Sequence, residues 1–324
     1  MAALSEPRTL TLIDLRRLRV EDLDPLLEEE IACWHTQLDW DFHPSADLVR
    51  RFVRMQALSG YALFDARRLV GYAYYVCEER KGLIGDVYVR RDLLAAGHEG
   101  LLLDAVLRDV IANPNVARVE SQLMMLSEEG WRRLPRRDLL SLFRRVFLMK
   151  EIDARNPLPS GFRTPRVVFE NWHEREQEQV ARLIARSYQG HIDAEINDQY
   201  RSIAGGRRFL MNIVQYPGCG GFFQPGSFVA TDPVTNQVVG ISLASLVAFD
   251  VGHITQICVD PAHKGQGIGY ELLRRSLAAL ERGGCRRVSL TVTKANTEAI
   301  RLYDRTGFRQ AGEFDAFVWQ GFSS

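Results

Sequence analysis

Between Val259 and Leu273 the chain reads VDPAHKGQGIGYELL, an apolar strand that runs into a tight turn and then at once into an apolar-periodic helix. The turn carries Gly265, Gly267 and Gly269, three glycines in five positions. Such a turn brings backbone amides close to a ligand without side-chain obstruction. The helix adds unpaired N–H groups and the positive end of its dipole at the same place. Strand, turn and helix together make a pyrophosphate site in an α/β fold. The spacing is not that of a dinucleotide fingerprint, which needs G-x-G-x-x-G after a first strand. No G-K-S/T ending marks a nucleoside-triphosphate loop either.

The next residues narrow the reading. Arg287–Thr293 is a β-rich strand, and Ala295–Tyr303 a helix with Ala299, Leu302 and Tyr303 on one broad face. Gly307-Phe308 closes that helix, and Glu313–Trp319 is strand-like. This order resembles the GCN5-related N-acetyltransferase (GNAT) superfamily. Lys264 to Gly269 matches the acyl-CoA signature Q/R-x-x-G-x-G/A, with Lys264 in place of the usual Gln or Arg. Asn296, Ala299, Leu302-Tyr303 and Gly307-Phe308 match the downstream pattern N-x-x-A-x-x-L-Y-x-x-x-G-F. The Lys264 departure matters little where the position contributes a backbone amide and positive charge.

With 324 residues the chain is long enough for two such modules. Lys and Arg balance Asp and Glu at 41 each, so binding of nucleic acid through a broadly basic surface is not expected. No run of 18 apolar residues and no signal-peptide pattern at residues 1–12 point to a membrane, and Glu6 and Arg8 interrupt early. Cys33, Cys77, Cys219, Cys258 and Cys285 are scattered and odd in number, without disulfide framework or metal-ligand spacing. The expectation is a reduced cytoplasmic protein with no metal.

The segment from Asp153 to Gly161 is polar and broken by Pro157 and Pro159, and makes the best linker. Beyond it come a β-like run at Arg166–Phe169 and a helix from about His173 to Tyr188. Strands are expected at Gly226–Ala230, Gln237–Leu246 and His253–Val259. The first half repeats this order weakly. At its turn, Arg90 to Gly100, only two glycines remain, and Glu99 puts a carboxylate where phosphates would sit. The expected fold class is α/β: two tandem GNAT-like folds, each a central mixed sheet flanked by helices. Residues 1–152 form a degenerate copy that walls part of the cleft. Residues 153–163 are the linker, and 164–324 the catalytic domain binding acetyl-CoA. The layout is similar to that of the mycothiol synthases.

The resemblance implies roles for particular residues. Ile257, Cys258 and Val259 occupy the splayed strand whose amides meet the pantetheine and thioester. The amides of Gln266, Gly267, Ile268, Gly269 and Tyr270 would take the pyrophosphate, with Gly265 shaping the turn and Lys264, joined by His263, adding positive charge. Asn296 binds the pantetheine arm or caps its helix, and the two roles can coexist. Tyr303 is the acid for the departing thiolate. His253 is the candidate base, since imidazole titrates near neutrality. Asp250 precedes it, and no Glu lies between 251 and 259. Strict alternation would place His253, Thr255 and Ile257 on one face of the strand, with Ile254, Gln256 and Cys258 on the other.

The acceptor would meet the loop after the first helix, with His191, Asp193 and Glu195, and the glycine-rich loop from Tyr216 to Gly226. Nothing in the sequence pairs Cys219 with a histidine, so direct transfer is expected. The function implied is acetyl transfer from acetyl-CoA to a primary amine of a small molecule or peptide, by a monomer or homodimer. The alternatives are a non-catalytic acyl-CoA-binding regulatory module and a scaffold without cofactor.

Overall fold

The computed structural model describes residues 10–160, 166–216 and 218–322. Residues 1–9 of the expected first copy lie outside the described residues, as do 161–163 of the linker, 164–165 at the start of the expected catalytic region, 217 in the glycine-rich loop and 323–324. In chain order, β1 (Leu10–Asp14) leads to α1 (Val20–Leu38), α2 (His43–Arg54) and a meander of β2 (Ser59–Asp65), β3 (Arg68–Glu78) and β4 (Lys81–Val89). After it come α3 (His98–Ala112), β5 (Arg118–Gln122), the short α4 (Glu128–Arg132) and β6 (Leu140–Glu151). The second half starts with β7 (Val168–Asn171), α5 (Gln177–Ser187), α6 (Asp193–Ile196), α7 (Ile203–Gln215) and the two-residue β8 (Gly221–Phe222). It continues as β9 (Phe228–Asp232), β10 (Gln237–Ala248), β11 (Val251–Val259), α8 (Ile268–Arg282), β12 (Arg287–Thr293), α9 (Thr297–Arg305) and β13 (Arg309–Gln320). The chain is thus α/β, with mixed sheet flanked by helices. No described helix is long and apolar enough to cross a membrane.

Contacts divide the chain into two compact units, and the division does not fall at residue 152. One unit holds the described residues up to Gln37, Ser45–Phe143 and those from Phe314 onward. The other holds Leu38–Pro44 and Arg144–Glu313. Strand pairing is the reason: Ala316–Gln320 of β13 is antiparallel to Arg118–Gln122, whereas Arg145–Glu151 of β6 is antiparallel to Arg287–Thr293. The prolines of the expected linker mark a bend in the chain, but hydrogen bonding sets the units.

In the first unit β4 runs parallel to β5 over Lys81–Ile84, and its other pairings are antiparallel. The apolar face of α3 (Leu102, Leu103, Val106, Val110) is buried with Val70, Ile84, Val119 and Trp319. The turn before α3 is occupied by the unit's own groups. Glu29 accepts from the Arg91 amide at 2.8 Å, and Glu99 from the Ser127 amide at 3.0 Å. The Arg133 guanidinium lies where a Cβ on Gly97 would come within 2.6 Å.

Two buried carboxyls face each other between α1 and β4. Glu30 accepts from the Tyr72 hydroxyl at 2.7 Å and shares a hydrogen bond with Asp86. Burial drives the Glu30 carboxyl well above its ordinary 4.5, and the Asp86 charge pushes the same way; burial raises Asp86 as well. A proton is therefore held in the folded pair at pH values where the unfolded carboxyls have lost theirs. The folded state binds the extra proton, so stability falls as pH rises above about 4.5. Glu30→Gln supplies a permanent N–H toward Asp86 and keeps an oxygen for Tyr72. Thermal melts near pH 6 and near pH 9 should show a smaller loss for the variant than for the wild type. Equal losses would mean that the pair does not hold its proton.

The second unit has the order β6-β12-β11-β10-β9-β7, with β8 on β10. One sheet face packs on α8, where Leu273, Leu277 and Leu280 meet Ile254, Val288, Leu290 and Phe308. The other packs on α5 and α7, where Val180, Leu183, Ile184, Leu210 and Ile213 meet Val229, Ile241 and Leu243. Within β11 the expected alternation fails. Ser245, Ala244 and Leu243 pair with His253, Ile254 and Gln256, which leaves Thr255 as an extra residue. Beyond this bulge the faces invert. Ile254 and Ile257 therefore share the α8 side, while Cys258 joins the α5–α7 side.

Candidate active site

The parallel pairing of β11 with β12 covers only Val251–Ile254. From Gln256 onward β11 pairs, among the described residues, with β10 alone. The bulge supplies the bend that separates the strands. The opened end, Ile257 to Val259, lines a cavity of about 330 Å³ within the second unit.

One end of this cavity is the glycine turn. Asp260 accepts from the Ala262 amide at 3.0 Å and starts a short 3-10 turn. The chain then passes through Gly265 and Gly267 at φ of 74° and 84°, the left-handed region that favours glycine. Gly267 caps α8, whose first intrahelical bond runs from the Glu271 amide to the Gly267 carbonyl at 3.0 Å. Among the described residues, the amides of Gly265 to Tyr270 have no backbone partner. Those of Ile268, Gly269 and Tyr270 are the orphan donors of a helix start. Lys264, Gly265, Gly267, Ile268, Gly269 and Tyr270 line the cavity; the Gln266 side chain is exposed and does not. The Lys264 ammonium lies 3.7 Å from Glu298 at the mouth, and the His263 ring lies 3.6 Å from Asp260.

Residues of α9 form a second wall. Asn296 accepts from the Ala299 amide at 3.2 Å, capping the helix while lining the cavity. Ala299, Leu302 and Tyr303 follow on the same face. The Tyr303 ring meets Phe308 edge-on at 5.8 Å. Burial raises the proton affinity of its phenol, the Asp193 carboxylate raises it further, and Arg145 partly offsets both. The group stays a proton-bearing phenol through the neutral range.

Residues after α5 close the third side. Ser187 donates to the Val259 carbonyl at 3.3 Å. The Tyr188 hydroxyl accepts from Gln256 at 2.8 Å, and its ring stacks on Tyr200 at 4.4 Å. His191 lines the same cavity. Cys258 also lines it, its thiol pushed up to about 12 by burial. It is a neutral, apolar lining group rather than a thiolate.

His253 is not brought to this cavity. Its Nδ1 lies 2.9 Å from the Ser289 hydroxyl, and its ring meets Trp40 edge-on at 5.2 Å. Burial, with a smaller contribution from Arg145, pushes it down to about 4. It is a neutral core histidine above that pH.

Sequence reasoning missed the hub beside the cavity. Arg145, on β6, donates to Thr293 at 3.1 Å and Thr291 at 3.0 Å, with Asp193 at 3.5 Å. Thr293 also donates to Asp193. Both charged side chains are largely buried, and only strand pairing brings residue 145 to residue 293.

Residues 215–308, which hold the turn and α9, match the model of the acetyltransferase (GNAT) family. The mycothiol acetyltransferase of Streptosporangium roseum is 41% identical over 58 residues, 18% of this chain and 17% of that protein. The chain thus spans under a fifth of that relative's length. A GCN5-related N-acetyltransferase from Sphaerobacter thermophilus is similar in structure, with a TM-score of 0.68 at 16% identity over 98% of this chain and 97% of its own. A tandem GNAT protein from the clavulanic acid biosynthesis pathway has a TM-score of 0.55 at 13% identity, covering 98% of this chain and all of its own. The segment that bears the site thus matches the GNAT family, and the fold is one shared with solved GNAT proteins.

Proposed function

We propose that the protein transfers an acetyl group from acetyl-CoA directly to a primary amine of a small molecule or peptide, using the cavity of the second unit. One observation carries the reading: a single cavity joins unpaired turn amides, an opened strand end and a buried phenol. The fit to the cofactor is good. The amides of Gly265 to Tyr270 are anion donors at a helix start, and the opened edge at Ile257 to Val259 can hydrogen-bond an extended amide arm. Asn296 and Leu302 border the same channel. The bound acetyl-CoA supplies an activated acyl carbon. The protein's part is to hold that carbon beside the amine, exclude water and place the Tyr303 proton for the sulfur that leaves.

The first unit, in this reading, is a degenerate copy of the same fold, in a tandem arrangement like that of the mycothiol acetyltransferases. Glu29 and Arg133 at its turn support the loss of cofactor binding there. Isothermal titration with acetyl-CoA should therefore return one site per chain, and Arg133→Ala should not add a second. Two sites in the wild type would overturn the degenerate assignment. Thiol release from acetyl-CoA, measured against a panel of amines, aminoglycosides and peptides, tests the reaction itself. Release that depends on an acceptor supports the transferase. Tight binding with no release for any amine favours a regulatory acyl-CoA-binding module, a reading helped by the absence of a carboxylate on β11, where Gln256 lies beside the bulge.

A further inference from the structure

We propose that His191, backed by Asp193, is the base that takes the proton from the acceptor amine. The assignment rests on the acetyl-transfer reading and goes beyond it, because neither the strand motif nor the family match names this residue. Three observations carry it. His191 lines the cavity that holds Tyr303, whereas His253 does not. Asp193 offers the same ring nitrogen two partners: its amide donates to Nδ1 at 3.1 Å, and its carboxylate oxygen lies 3.7 Å away. In the structure the Asp193 amide takes the Nδ1 lone pair, and a ring proton moved to Nδ1 would exchange that bond for the nearby carboxylate. Finally, Asp193 is itself fixed by Thr293 and Arg145, and the Tyr188 ring meets the imidazole edge-on at 5.2 Å.

Once the ring proton has moved to Nδ1, exchanging the Asp193 amide bond for the Asp193 carboxylate, His191 presents the Nε2 lone pair to the acceptor. His191 takes an N–H proton from the amine as the C–N bond forms. The thioester C–S bond breaks with its electron pair on sulfur, and Tyr303 donates its proton there. The imidazolium then gives its proton to water, and water returns one to the Tyr303 oxygen, so the cycle balances. Asp193 on α6 and Tyr188 at the end of α5 face the imidazole, and the charged or titratable groups lining the same cavity include Cys258, His263, Lys264, Glu298, Tyr303 and Arg305. Asp193 is a positioning residue, acting through the ring.

The test is kcat/KM against pH for wild type, His191→Gln and Asp193→Asn, using the best amine of the panel, with acetyl-CoA affinity measured in parallel. His191→Gln should lose on the order of 100-fold in kcat/KM, keep its acetyl-CoA affinity and lose the limb on which wild-type activity falls with acidification. Asp193→Asn should lower kcat with little change in KM, and the double variant should lose no more than His191→Gln alone, as a residue acting through the ring requires. A His191→Gln enzyme of wild-type rate and unchanged limb overturns the assignment while leaving the transferase standing. Wild type that binds acetyl-CoA but releases no thiol with any amine overturns both. Loss of acetyl-CoA binding in His191→Gln makes the residue part of the cofactor site and overturns its role as base.

Discussion

Tyr303→Phe is expected to lower acceptor-dependent thiol release by about 100-fold or more while leaving acetyl-CoA affinity unchanged. The variant removes one oxygen and keeps the ring, so the edge contact with Phe308 and the packing beneath α8 and α9 survive. What disappears is the proton donor. A thiolate that leaves without a proton must do so as an anion in a largely apolar channel, bordered by Ile257, Leu302 and the neutral Cys258 thiol. Because burial and the Asp193 carboxylate both favour the protonated phenol, wild type keeps its acid through the neutral range. The loss should therefore appear as a drop in kcat at every pH from about 6 to 9, with the acidic limb retained. Steady-state thiol release together with acetyl-CoA titration separates the outcomes. A variant within about threefold of wild type would show that the sulfur leaves without help from Tyr303.

The parts of the site that could be read in the sequence are those whose geometry is local. Gly265, Gly267 and Gly269 announce a turn because only neighbouring residues decide a positive φ. Asn296 and Tyr303 fall seven residues apart on one short helix, so one pattern holds both. The segment-level strand at Arg287–Thr293 needs no correction. Reading fails where partners distant in the chain decide. Nothing around Thr255 marks it as the bulged residue. The bulge appears only when β10 is laid beside β11, and it turns Cys258 onto the side opposite Ile254. His253 has the right chemistry for a base but the wrong neighbours, Trp40 and Ser289, from elsewhere in the chain. Arg145 sits in a stretch of β6 with no motif, and its strand pairs with residues more than 130 positions on, a register no local pattern specifies. His191 and Asp193 could be read as part of an acceptor-facing loop, but only the fold shows that His191 lines the cavity while Asp193 is held behind it by Thr293 and Arg145.

The largest loss of cofactor binding should come from Gly267→Val. Gly267 holds φ at 84° as the residue before α8, and its carbonyl accepts the first helical bond from Glu271. A β-branched residue in that region costs on the order of 1–3 kcal/mol, and the turn relieves the strain by rotating its peptide planes. The amides of Ile268, Gly269 and Tyr270 then lose their common direction. Each charge-assisted bond to a phosphate contributes about 1.5–3 kcal/mol, so losing one bond raises the acetyl-CoA Kd by about 10- to 100-fold, at 1.4 kcal/mol per factor of ten. Gln266→Ala is the matched control. Its side chain is exposed and outside the cavity lining, so its Kd should stay within about twofold of wild type. Both variants should melt cooperatively, with Gly267→Val lower by the part of the strain that the turn does not relieve, because Leu272, Leu273, Leu277 and Leu280 still anchor α8. Unchanged affinity in a folded Gly267→Val protein would move the phosphates away from this helix start, and with them the alignment of the thioester against Tyr303.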